Sequence, residues 1–157
     1  MYQTDNLSHS DAQAMIDAVR KNAEAAGKAI CVAVADAHGE LIAFLRMDGC
    51  QLPSVSIAQN KAFTAARERK ESSEIGERMK ETGFPMTNYG SLRYTGWGGG
   101  LPILHEGVVI GGIGVSGLSS EEDVELARAA VNLAGKQGRA TPPGAEELRQ
   151  ERKGAAR

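Results

Sequence analysis

Ten of the nineteen glycines of this 157-residue chain fall between Gly90 and Gly117, in the run GSLRYTGWGGGLPILHEGVVIGGIGVSG. Glycine loses more backbone freedom on folding than any other residue, so a cluster this dense serves geometry. Either the chain bends where no Cβ is tolerated, or a ligand or another segment comes close. The tract also spells G-x-G-x-x-G at Gly112, Gly114 and Gly117. A dinucleotide site needs a strand, the glycine turn, a helix and a second parallel strand, with an acidic residue about 20 positions on. A strand-like run (108–110) and a helix-like run (120–134) satisfy the first half. The following segment, KQGRATPPGAEELRQERKGAAR, has too few β-branched residues for a buried strand. The window near Gln137 also lacks an acid for a ribose, so no NAD or FAD site is expected. A Walker-type lysine is absent as well, which removes the nucleotide reading. Gly111 and Gly112 read instead as part of a strand that another element approaches closely.

The chain is long enough for one domain with its own core, expected over residues 1–135, followed by a solvated or disordered tail over 136–157. A formal net charge of −2 and no basic stripe argue against nucleic acid. No apolar run is long enough to span a bilayer, and the start MYQTDNLSHS lacks the basic and apolar regions of a secretion signal. A cytoplasmic protein without membrane contact is the expectation. Cys31 and Cys50 have no C-x-x-C spacing and read as reduced thiols.

Ser8 with Asp11, or Ser10 with Gln13, can cap a first helix carrying Ala12, Met15, Ile16, Val19 and Ala23, which Gly27 ends. Residues 30–35 and 40–46 read as a hairpin around the turn 36–39. Ser56 with Gln59 can cap a second, alanine-rich helix to about Arg69. A short third helix spans 73–81 before Gly83-Phe84-Pro85 breaks it. After the glycine loop, 101–105 and 108–115 form a second hairpin, and Ser119 with Glu122 caps a last helix. The order helix, hairpin, helices, hairpin, helix predicts an α+β fold, an antiparallel sheet flanked by helices.

Three histidines, His9, His38 and His105, lack the spacing of a metal site, and no metal centre is expected. Each reads as a surface or turn residue, with His9 and His105 as candidates for haem, because one axial ligand suffices. Lys61 has two readings. It lies beside the polar face Ser56, Asn60 and Thr64, which is either a solvated helix edge or a face turned into a ligand pocket. In the second case Lys61 binds a carboxylate or moves a proton. Arg46, which flanks the end of the second strand, and Asn60 are candidate ligand-binding residues. Arg93, near Trp97, Gly98, Gly99 and Gly100, is a candidate to complete an anion site with those sterically free amides.

The segments RMDG (46–49), NKAFTA (60–65), GGGLPI (98–103) and GVVIGGIGVSG (107–117) resemble, in that order, the glycolate-operon accessory and haem-binding protein family. The same domain is appended to some corrinoid adenosyltransferases. The resemblance spans about residues 6–135. It implies a profilin-like sheet of about five strands flanked by helices, assembled as homo-oligomers from dimers to hexamers or octamers. It also implies haem or corrinoid binding and roles in redox stress or organic-acid and aromatic catabolism. The chain departs from the secreted haem-sensing branch, which carries a signal peptide and a threonine where Leu101 stands. That branch's histidine aligns near Asn6, so His9 is an approximate substitute, and the GGGLP spelling fits the glycolate-operon branch better. Two functions follow. One is a cytoplasmic oligomeric haem- or tetrapyrrole-binding accessory protein using His9 or His105. The other is a cofactor-independent isomerase, lyase or hydrolase acting on a small carboxylate with Lys61, Arg93 and His105.

Overall fold

A computed structural model of the chain describes Met1 and residues 4–137. Helix α1 (His9–Ala25) begins where the Ser8 hydroxyl accepts the Asp11 N–H at 3.1 Å, as the sequence predicts. Gly27, at φ 65°, turns the chain toward strand β1 (Cys31–Asp36). The Asp36 carboxylate then accepts the His38 and Glu40 N–H groups at 2.8 and 2.9 Å, closing the turn to β2 (Leu41–Arg46). Helices α2 (Pro53–Glu68) and α3 (Ser72–Thr82) follow. A single 3-10 turn (Met86–Tyr89) opens the glycine-rich loop. Strands β3 (Gly100–His105) and β4 (Val108–Ser116) and helix α4 (Ser120–Gln137) complete the described chain.

All strand pairs are antiparallel, in the order β2-β1-β4-β3. The fold is therefore α+β, with four strands among the described residues rather than about five. The two hairpins supply two strands each. The remaining long connection, 83–99, is kept out of the sheet by Pro85 and by the left-handed backbone of Gly83 and Gly90. α2 also starts earlier than its expected Ser56 cap. Pro53 fits the first helical position, where a missing N–H costs nothing, and Ser56 lies one turn inside. The expected tail from Lys136 contributes its first two residues to α4, and 138–157 lie outside the described residues.

The two faces of the sheet differ in side-chain size. Val32 and Val34 of β1, Leu101 and Ile103 of β3, and Ile113 and Val115 of β4 point to one side, against α1 and α4. Cys31, Ala33 and Ala35 point to the other, where Ala58 and Ala62 of α2 cover them. Gly112 and Gly114 lie on this second face. A Cβ at Gly112 would stand 2.8 Å from the Ala66 nitrogen, and one at Gly114 2.5 Å from the Ala62 nitrogen. The two glycines let the α2 backbone rest on the β4 backbone. The G-x-G spelling thus serves helix-on-strand contact, in accord with the close-approach reading of the sequence.

Candidate functional site

The close seating of α2 decides what happens to Lys61. Its side chain, only 2% exposed, crosses the end of the sheet. There Nζ donates to the Val115 carbonyl at 2.8 Å and to Asp123 Oδ2 at 2.8 Å. The other carboxylate oxygen of Asp123 accepts the Leu118 N–H at 3.2 Å. The pair ties α2 on one face to the first turn of α4 on the other. Burial pushes the Lys61 ammonium below its ordinary value against the pull of Asp123. Burial likewise pushes the Asp123 carboxyl up, against Lys61 and the Leu118 N–H. The solvated-edge reading of Lys61 is corrected here: among Ser56, Asn60 and Thr64, only Ser56 is exposed, and Lys61 is sealed.

The three consecutive glycines close over this pair. Gly99 has φ 114°, and a Cβ there would lie 2.9 Å from Lys61 Nζ and 2.8 Å from the Asp123 Cβ. A Cβ at Gly98 would press on Ser120 at 3.1 Å, and one at Gly100 on Ser72 Oγ at 2.7 Å. Ser72, at the start of α3, donates to the Trp97 carbonyl at 2.6 Å and accepts the Gly100 N–H at 2.9 Å. The Gly100 amide is therefore already taken and is not open to an anion. One turn along α2, Thr64 Oγ1 accepts the Thr95 N–H at 3.0 Å. The loop is fastened to the start of α3 by Ser72 and to α2 by Thr64.

Arg93 is held elsewhere along that helix. Its guanidinium lies 4.0 Å from the centre of the Phe63 ring, Nη2 donates to the Gly39 carbonyl at 3.4 Å, and Nη1 stands 3.6 Å from Glu40. Arg67 also stacks on Phe63, at 4.6 Å, and donates to the His38 carbonyl at 2.7 Å. These contacts engage the β1–β2 turn and not the glycines at 98–100. Lys61 and the glycines are thus brought together, while Arg93 is not joined to them. Arg46 is exposed at the end of β2, Asn60 is half-buried, and the Trp97 ring is 62% exposed. His9 is exposed at the first residue of α1, and His105 is half-buried at the end of β3.

Two adjoining cavities lie between α3 and the connection 83–96. One, of about 290 Å³, is lined by Ile75, Arg78, Met79, Phe84 and Tyr89 among others. The second, of about 310 Å³, shares Met79, Pro85 and Met86 and is walled by Leu92 and Tyr94. Neither contains a histidine, and both are at the small end of ligand pockets. Among the described residues no three His, Cys, Asp or Glu side chains cluster as for a metal. Asp123 is the residue that sequence reasoning missed. It lies in the acidic first turn of α4 beside Glu121 and Glu122, yet it shares the spacing i, i+4, i+7 of buried Ala127 and Ala130.

The profile of the haem-degrading HbpS-like family matches residues 7–132. GlcG of Escherichia coli K12 is 35% identical over 116 residues, which cover 70% of this chain and 81% of GlcG. Among solved structures, a variant of Streptomyces reticuli HbpS superposes with a TM-score of 0.78 at 30% identity, covering 85% of this chain and 90% of that one. A complex of PduOC with haem superposes with a TM-score of 0.76 at 27% identity, covering 82% and 94%. By sequence along most of its length and by fold, the chain belongs to the HbpS-like family.

Proposed function

We propose that the chain is a haem- or tetrapyrrole-binding accessory protein of the glycolate-operon type, acting in the cytoplasm as a homo-oligomer. The observation that carries the reading is the likeness, over 82% of the chain, to a structure solved with haem. Among the described residues, two imidazoles fit the chemistry of the iron. His9, at an exposed helix start, and His105, at a half-buried strand end, each would offer an imidazole nitrogen to the iron. Neither histidine lines either of the two cavities beside α3. Haem would supply a redox-active iron, and His9 or His105 would hold it.

Lys61 favours this binding reading over a cofactor-independent enzyme, because a sealed, ion-paired ammonium has no open face for a substrate carboxylate. Hemin titration of the purified chain, followed in the Soret region, tests the proposal. A saturable shift is expected in the wild type, and it is expected to weaken in His9→Ala or His105→Ala. No saturable shift, or one unchanged in both variants, overturns it.

A further inference from the structure

Cys31 and Cys50 are nineteen positions apart in sequence, yet their sulfurs lie 3.4 Å apart. Cys31 opens β1 and is fully buried, paired across the ladder with Arg46 on one side and Ser116 on the other. Cys50 is half-buried on the loop between β2 and α2. That loop is fastened over the strand by Met47 N–H to the Ile30 carbonyl at 2.9 Å and by Cys50 N–H to the Met47 carbonyl at 3.1 Å. The two thiols are free, and they differ in access: one is sealed and the other meets solvent.

We propose that this pair is a peroxide-oxidised dithiol, in which Cys50 reacts first and Cys31 resolves it into an intrachain disulfide. The thiolate form of Cys50 attacks one oxygen of a hydroperoxide, the O–O bond breaks, and hydroxide (or alkoxide) leaves, giving a sulfenic acid. The Cys31 sulfur then attacks the Cys50 sulfur. The S–O bond breaks, and the departing hydroxide takes the Cys31 proton as water. For hydrogen peroxide the sum is two thiols and one peroxide going to one disulfide and two waters.

The assignment of roles follows from the surroundings. Burial, reinforced by the bond to Cys50, pushes the Cys31 thiol up to about 12, so Cys31 holds its proton and is the poorer first nucleophile. Closing the sulfurs from 3.4 Å to about 2 Å asks for movement of the Cys50 loop rather than of a strand paired on both edges. Cys50 Sγ also donates to the Ser116 carbonyl at 3.9 Å, and oxidation to the disulfide removes that donor at the corner where β4 leaves the sheet toward α4. None of this depends on tetrapyrrole binding.

The test exposes the reduced, full-length chain to hydrogen peroxide and follows its thiols and intact mass. The expected result is joint loss of both thiols with a mass decrease of about 2 Da, reversed by dithiothreitol, in a species that runs as a single chain on a non-reducing gel. Cys31→Ser is expected to accumulate a Cys50 sulfenic acid that a 1,3-dicarbonyl reagent traps. Cys50→Ser is expected to keep Cys31 unmodified over the time in which the wild type loses both thiols. Stepwise gain of oxygen without thiol coupling, or disulfides only between chains, overturns the proposal. So does survival of both thiols under peroxide that oxidises free cysteine. The wild-type thiol and mass measurements decide the matter even if a serine variant fails to fold.

Discussion

At the scale of single residues, the sealed pair of Lys61 and Asp123 has the greatest leverage. Removing one partner of such a pair leaves a buried charge alone, which costs about 3–5 kcal/mol, whereas replacing both by apolar groups of similar volume is close to neutral. Asp123→Ala is therefore expected to lower unfolding free energy in urea by that amount, while Lys61→Met with Asp123→Leu recovers most of it. Equal losses in the single and double variants would show that packing and not charge is at stake. The pair also sets a pH dependence. The folded-state carboxyl of Asp123 titrates above its unfolded value near 3.8, so the folded chain holds more protons just above that pH and stability falls as pH rises there. The folded-state ammonium of Lys61 titrates below its unfolded value near 10.5. Just below that pH the unfolded chain holds more protons, and stability rises with pH. Both slopes are expected to shrink in the apolar double variant, as read from urea midpoints across pH. If both persist unchanged, other groups produce them. The interest of Lys61 was legible in the sequence because a lone lysine stood in an alanine-rich helix. Its partner was not, since an acid in a helix's first turn has an ordinary explanation in the helix dipole.

Among elements, the contact of α2 with β4 was half legible. The glycine spacing announced a close approach, but not that the approaching body was a helix from the preceding third of the chain. Gly114→Ala would place a methyl group against the α2 backbone, where no side-chain rotation relieves it. Overpacking of this kind costs about 1–3 kcal/mol or more. Ile113→Val, the neighbouring residue facing α1 and α4, removes one methylene for about 0.5–1.5 kcal/mol. Thermal unfolding of the two variants is expected to rank Gly114→Ala as the more damaging. A reversed order would mean that α2 shifts freely on the sheet. Caps at Ser8 and Ser119 were readable because a hydroxyl three residues ahead of an acid has a direct geometric use, and the Ser119 hydroxyl does accept the Glu122 N–H while the Glu122 carboxylate accepts the Ser119 N–H. Ser56 with Gln59 offered the same spelling, and the proline three positions earlier overrode it.

On the scale of the whole molecule, family and layer order followed from four short motifs and the alternation of hairpins and helices. The interaction surfaces did not, because exposure depends on where a loop lands. Phe84 and Leu92, 71% and 88% exposed, rim the two cavities beside α3. Apolar exposure of this kind marks contact surfaces, and it supports the proposed self-association. Phe84→Glu with Leu92→Glu is therefore expected to lower the mass found by sedimentation while leaving the helical circular dichroism intact. An unchanged mass would direct the search for a subunit contact to another surface. The sheet order has its own consequence. With β1 and β4 in the interior, the open backbone of the sheet lies on β2 and β3, and these two borders are unequally guarded. Pro102 removes a donor from the middle of β3. β2 carries Leu41, Ile42, Ala43, Phe44 and Leu45 without a charge or a proline until Arg46. Templated strand addition, whether in a native partner or in misassembly at high concentration, therefore has its freer border along β2.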